Sequence, residues 1–374
     1  TCHEAFETVR AAFEKNFTEG DLGASCAVTV DGETVVDLWG GTSDVAGEHP
    51  WERDTIVNVW STTKTMAALC VLMLQDRNAL DVDQPVANYW PEFAANGKEA
   101  VLVRHLLSHS AGLPGFDAPI SEDQLFDWDY VCDRLTSQAP WWEPGTMSAY
   151  HSLTQGWLLG EVVRRVDGRT LGRFFAEEVA GPTDADFHIG LADDHFGRVA
   201  ELDVSGVGAP RLDRQGQSEI LDRVDKHGPG VTAKLGNTDR WRRAEFAAAN
   251  GHGNARSVAE IHSVIACEGT ARGVTLLSPA TVEKIFEVQT DGYDPILGGP
   301  IRYGLGFGLR NDTTPISPND RACFWGGWGG SLAVVDVEAR MSVAYAMNQM
   351  SPTTVGDGRA GRILMAAHAA HRPS

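Results

Sequence analysis

Strands at both ends of the chain, with helices between them, point to one α/β unit with an inserted helical region. Near the start, Ser25 to Val30 and Glu33 to Trp39 are rich in β-formers and flank Asp31-Gly32, a strong short hairpin signal. Near the end, Ser331 to Val337 and Met341 to Met347 read as strands on either side of Glu338-Ala339-Arg340. From Asp81 to about Asp186 the pattern is mainly helical, broken at Leu113-Pro114-Gly115 and Glu143-Pro144-Gly145. The expected division is residues 1–75 and 246–374 for the two parts of the α/β domain. Residues 76–245 are expected to form a mainly helical domain with long loops.

Taken in order, Phe6, Val9, Phe13 and Phe17 fall on one face and predict a helix over residues 4–17. Gly40-Gly41 ends the second strand. Thr65 to Leu74 is almost wholly apolar, which predicts a buried helix starting at or just before Ser61. A helix over Leu153 to Val166 stops at Asp167-Gly168. His195 to about Thr238 is polar and aperiodic, so long loops are expected there. Ser257, with Glu260 three residues on, predicts a capped helix to about Glu268. A last helix is expected over Gly358 to His371.

Composition narrows the class. At 374 residues the chain can bury a large core, and 43% hydrophobic with 22% charged residues is ordinary for a globular protein. A formal charge of −20 repels a phosphate backbone or an anionic bilayer, so neither nucleic acid nor membrane is an expected partner. No apolar run reaches the roughly 18 residues of a membrane span. The start, Thr1-Cys2-His3-Glu4, lacks a signal pattern, which favours a cytoplasmic location unless a leader was removed before residue 1. Cys2, Cys26, Cys70, Cys132, Cys267 and Cys323 form no C-x-x-C pair and read as small hydrophobes, not metal ligands. No cofactor or metal is expected, and the sequence sets no oligomeric state.

The chemistry starts at Ser61-Thr62-Thr63-Lys64. Three residues apart on a helix, Ser61 and Lys64 share a face. A serine hydroxyl needs a base, and a lysine serves only when burial or nearby charge lowers its pKa. The apolar flanks Val57, Val59, Trp60, Met66, Ala67, Ala68 and Leu69 supply that burial. Two further elements fit an acyl-transfer site. Tyr150, in Tyr150-His151-Ser152, offers a phenol for proton transfer, and Ser152 is a candidate to hydrogen-bond the lysine or the substrate. Trp325-Gly326-Gly327-Trp328-Gly329-Gly330-Ser331 leads into a strand, where glycines let a substrate carbonyl approach backbone N–H groups.

These three motifs, in this order, resemble the class C β-lactamase superfamily, and most closely its esterase branch, the family VIII carboxylesterases. His105-Leu106-Leu107-Ser108-His109-Ser110-Ala111-Gly112-Leu113 and Asn250-Gly251-His252-Gly253-Asn254-Ala255-Arg256 extend the resemblance. It implies a β-lactamase/transpeptidase-like fold, an antiparallel sheet flanked by helices with an inserted helical domain. It also implies Ser61 as the acylated nucleophile, Lys64 as its proton partner and Tyr150 as the base. The N–H groups of Ser61 and Trp328 would form the oxyanion hole. The departure lies at Trp325-Gly326-Gly327, where β-lactamases carry K-T-G and use the lysine to attract a carboxylate. An indole offers an apolar wall and one N–H, so a small neutral ester is the expected substrate. A β-lactamase or D-amino-acid peptidase, and an acyltransferase using the same acyl-enzyme, are the alternatives.

Other classes fit less well. No G-x-S-x-G elbow is present, and His105 and His109 lack the H-E-x-x-H pattern of a zinc hydrolase, so they are expected to hold a turn or line a groove. A catalytically silent binding protein would not need Ser61, Lys64 and Tyr150 together. Trp128, Tyr130, Trp141, Trp142 and Trp328 are candidates to line an acyl or alcohol pocket.

Overall fold

The structure is a computed structural model that describes residues 1–205, 207 and 218–371. A single 3-10 turn (Glu4–Phe6) leads into helix α1 (Glu7–Thr18), which buries Val9 and Phe13. Strands β1 (Gly23–Val30) and β2 (Glu33–Gly41) form the expected hairpin. Asp31 and Gly32 both have positive φ, 50° and 83°, the backbone that a two-residue turn needs to match the strand twist.

Helix α2 (Thr63–Asp76) is buried at every position from Thr63 to Leu74, as its unbroken apolar run requires. It packs against helix α3 (Thr154–Asp167), which ends at left-handed Gly168. Helix α4 (Ala255–Ala266) follows the next loops. The C-terminal part supplies β3 (Thr290–Asp294), β4 (Gly299–Tyr303), β5 (Gly308–Leu309), β6 (Ala322–Gly326), β7 (Leu332–Asp336) and β8 (Met341–Met347). Helix α5 (Gly358–Ala370) comes last.

The eight strands make one sheet in the order β2-β1-β8-β7-β6-β5-β4-β3, with every neighbouring pair antiparallel. Val28 lies opposite Val343 and Cys26 opposite Tyr345, so the two ends of the chain pair as the second and third strands of the sheet. Successive side chains of β8 point to opposite faces. Ser342 donates to the carbonyl of Ala259 in α4 at 2.6 Å, whereas Tyr345 bonds Asp21 on the side of α1 and α5. The sheet is thus flanked by helices on both faces, as expected.

Three local expectations are corrected. Strands β3 to β5 were not foreseen, because they are short and interrupted by Gly292, Gly298-Gly299 and Pro300, residues that strands tolerate at a sheet edge. Asn254, not Ser257, caps α4: its side chain accepts from the Ser257 N–H at 2.9 Å. Both residues are good caps, and the Ser257 hydroxyl instead accepts from Asp186 N–H at 2.9 Å. Within the polar stretch expected as loops, Glu219–His227 is helical, while residues 208–217 lie outside the described ones. The six cysteines are free, five of them buried. Among the described residues no helix is long and apolar enough to cross a membrane.

Candidate active site

The turn that carries Ser61 is set by a small three-stranded sheet. Val57–Asn58 pairs with His252–Gly253, which also pairs with Phe187–His188. After Asn58 the chain swings into a 3-10 turn (Trp60–Thr62) that runs into α2. Trp60 sits at φ 47°, a left-handed backbone that a bulky residue adopts only when its surroundings force it. Here they do. Its indole is buried against Trp241 at 5.4 Å and Trp328 at 5.0 Å.

Hydroxyls staple the same turn. Ser331 Oγ donates to Val59 O at 2.7 Å and therefore accepts from Thr62 Oγ1 at 2.9 Å. Thr63 Oγ1 donates to Trp60 O and accepts from Gly251 N–H at 2.8 Å. The turn carrying Ser61 is thus bolted both to the start of β7 and to the segment before α4.

Lys64, the second residue of α2 and one turn on from Ser61, is 2% exposed. Its Nζ is 3.3 Å from Ser61 Oγ, 2.7 Å from Ser152 O and 2.8 Å from Ala248 O. Burial holds its pKa well below the ordinary lysine range. A neutral amine has two hydrogens and one lone pair. The two carbonyls take the hydrogens, which leaves the lone pair for the Ser61 hydroxyl.

Tyr150 is held in front of this pair by the His105–Leu113 segment. Ala149 N–H donates to His109 O at 3.1 Å, and His151 N–H donates to His109 Nδ1 at 3.0 Å. Leu113 N–H donates to His151 Nε2 at 3.0 Å, and His151 Nδ1 faces Ala149 O at 2.7 Å, which fixes its tautomer. Both rings are neutral. Burial pushes His151 down to about 3, and His109 well below its usual value. The expectation that His109 holds a turn is therefore met, and its own φ is 58°.

The Tyr150 phenol is pushed up by burial, with weaker opposing pulls from the Ser61 hydroxyl and Trp325. Trp325, 1% exposed, donates its indole N–H to Tyr150 Oη at 3.4 Å and packs against His109, Tyr150 and Tyr303. Lys64 Nζ is 4.7 Å from the Tyr150 ring centroid.

β6 ends at Gly326, and the turn from Gly327 to Ser331 closes on a Gly327 N–H to Ser331 O bond of 2.8 Å. A Cβ on Gly327 would meet Val59 O at 2.1 Å, so only glycine lets this turn reach the segment that leads to Ser61. Among the described residues, neither the Ser61 N–H nor the Trp328 N–H donates to another backbone group.

Sequence reasoning thus named Ser61, Lys64, Tyr150, Trp325, Gly326, Gly327 and Trp328, and the structure brings all of them together. Ser152 reaches Lys64 through its carbonyl instead of its hydroxyl. Ala248 was missed, because a carbonyl leaves no side-chain signal. Of the aromatics, Trp142 edges His151 at 6.1 Å, while Trp128 bonds Glu161 and Trp141 bonds Asp117.

The chain is similar over most of its length to known proteins. The esterase/beta-lactamase LipL of Mycobacterium tuberculosis is 34% identical over 345 residues, covering 90% of this chain and 79% of its own length. A solved family VIII carboxylesterase superposes with a TM-score of 0.92 at 40% identity, over 99% of this chain and 98% of the other. A penicillin-binding protein homologue from Caulobacter crescentus superposes with a TM-score of 0.90 at 38% identity, over 99% and 98%. Fold and relatives together define a serine hydrolase of the β-lactamase/esterase superfamily. More narrowly, the chain belongs to the Beta-lactamase family, which it matches over residues 10–368.

Proposed function

We propose that the chain hydrolyses small neutral carboxylic esters through an acyl-enzyme on Ser61. The observation that carries this is Lys64, whose two carbonyl partners leave one position of its amine, 3.3 Å from Ser61 Oγ. Ser61 Oγ attacks the ester carbonyl while Lys64 takes its proton. The negative oxygen of the tetrahedral intermediate lies between the N–H groups of Ser61 and Trp328, which carry charge stabilisation.

As the intermediate collapses, Tyr150 gives its phenol proton to the leaving alkoxide and is reprotonated by Lys64. In the second half the same pair takes a proton from water, which attacks the acyl carbonyl, and Ser61 recovers its proton. Burial favours the neutral forms of both groups, so in this reading Lys64 acts as the base in acylation and Tyr150 as the acid, in place of the base role that the resemblance implied for Tyr150.

The preference for neutral esters rests on the residue at position 325 and on the engagement of the nearby cation Arg359. Trp325 stands where a lysine would draw a carboxylate, and its one N–H is already directed at Tyr150. The cation bonded to the glycine turn, Arg359, is engaged by Asp21, Asp357 and two carbonyls. The family VIII carboxylesterase relative supports this reading, while the name of the mycobacterial relative joins both activities. Turnover of p-nitrophenyl butyrate and of nitrocefin by the same preparation is the test. Ester turnover exceeding nitrocefin turnover by orders of magnitude is expected; the reverse ratio overturns the preference. Product analysis with added alcohol separates hydrolysis from acyl transfer.

A further inference from the structure

We infer that Arg359 is a positioning residue for the oxyanion-stabilising N–H of Trp328, acting from α5 through the glycine turn. This rests on the reading of Ser61 and Trp328 given above.

The turn after Gly326 leaves the strand ladder, so other groups must fix it. Gly329 is the fixed point. Its N–H donates to Thr353 O at 3.0 Å, and its carbonyl accepts from Ser351 N–H at 2.9 Å. The same carbonyl accepts from Arg359 Nη2 at 2.9 Å, one residue beyond Trp328. Arg359 Nη2 also donates to Gln349 O at 2.9 Å, so one guanidinium bridges the turn and the segment after β8.

The guanidinium is itself locked. Nη1 donates to Asp21 Oδ1 at 2.6 Å and Nε to Asp357 Oδ2 at 3.0 Å, while Nη2, whose two hydrogens serve the carbonyls of Gly329 and Gln349, lies 2.7 Å from the same carboxylate oxygen. Asp21 is held in turn by Tyr345, and Asp357 caps α5 through the N–H groups of Arg359 and Ala360. The pair lies hard against the turn. A Cβ on Gly330, which has φ 130°, would sit 2.5 Å from Asp357 Oδ2 and 2.8 Å from Arg359 Nη2.

A planar fork with five donors can hold two carboxylates and two carbonyls at fixed angles, which a single ammonium cannot. An N–H aimed at a developing oxyanion loses value steeply with small displacement. The charge of Arg359 is absorbed by Asp21 and Asp357, so its contribution is geometric, and substrate affinity in the ground state should not depend on it.

The experiment compares Arg359→Gln and Arg359→Lys with the wild type in three measurements: kcat and KM for p-nitrophenyl butyrate, the inhibition constant of an arylboronic acid, and thermal unfolding. The boronate adduct on Ser61 places an oxygen where the oxyanion forms. Expected are a kcat lower by about tenfold or more, below the 10²–10³ of losing a whole donor, a KM within about twofold, and an inhibition constant raised by the same factor as kcat falls. Arg359→Lys keeps a cation between Asp21 and Asp357 and should fold, yet recover only part of the loss. If Arg359→Gln does not fold, Asp357→Asn, which frees one side of the fork, takes its place with the same expectation. Unchanged kcat in a folded variant, or a fall in kcat with boronate affinity intact, overturns the inference. Failure of wild-type Ser61 to react with the boronate or a phosphonate overturns the functional reading instead.

Discussion

Trp325 directs its indole N–H at the phenol oxygen of Tyr150, 3.4 Å away, from a position that is almost wholly buried. The sequence suggested that this indole would be a wall for the substrate. The structure makes it first a hydrogen-bond partner of Tyr150.

Replacing Trp325 by Phe removes the N–H but keeps an aromatic ring against His109 and Tyr303. One neutral hydrogen bond is worth about 1 kcal/mol, so kcat should fall roughly fivefold. KM for a small ester should hardly change. Steady-state kinetics decide it: an unaltered kcat would mean that the indole only fills space.

The pH dependence follows from burial of Lys64. The neutral amine is the active form, and it predominates above the depressed folded-state pKa. The logarithm of kcat/KM should therefore rise with pH through that value and level off well before the ordinary lysine value of about 10.4. His151, held down to about 3, and His109, also lowered, should contribute no limb between about pH 5 and 8. Because burial raises Tyr150, the plateau should extend past about pH 10. An activity that keeps climbing to pH 10 or beyond would show a lysine of ordinary basicity.

Gly327→Ala places a methyl group 2.1 Å from Val59 O and 2.3 Å from Ser331 Oγ. Both atoms belong to the staple that holds Ser61, so the turn or the nucleophile must move. Activity should fall by about 10²-fold or more, with a loss of about 1–3 kcal/mol in stability. Paired kinetics and thermal unfolding test it, and near-normal turnover would show that this contact is not needed.

Much of this site could be read from the sequence because its parts are local. Ser61 and Lys64 share one helical turn, and the apolar run after them announces a buried helix. The Asp31-Gly32 hairpin and the strands around Arg340 carry strong local signals. What escaped was set by tertiary contacts or by backbone atoms. The carbonyls of Ser152 and Ala248 orient the amine of Lys64, yet any residue supplies a carbonyl. Strands β3 to β5 are too short and glycine-rich to show a period. The left-handed backbone of Trp60 follows from packing against Trp241 and Trp328, far away in sequence.

The most direct measurement is covalent labelling. Incubation with a p-nitrophenyl alkylphosphonate, followed by intact mass and peptide mapping, should give one adduct per chain, on Ser61. Ser61→Ala should remain folded, take up no label and lose ester hydrolysis. Labelling at another residue, or full activity in Ser61→Ala, would contradict the central claim.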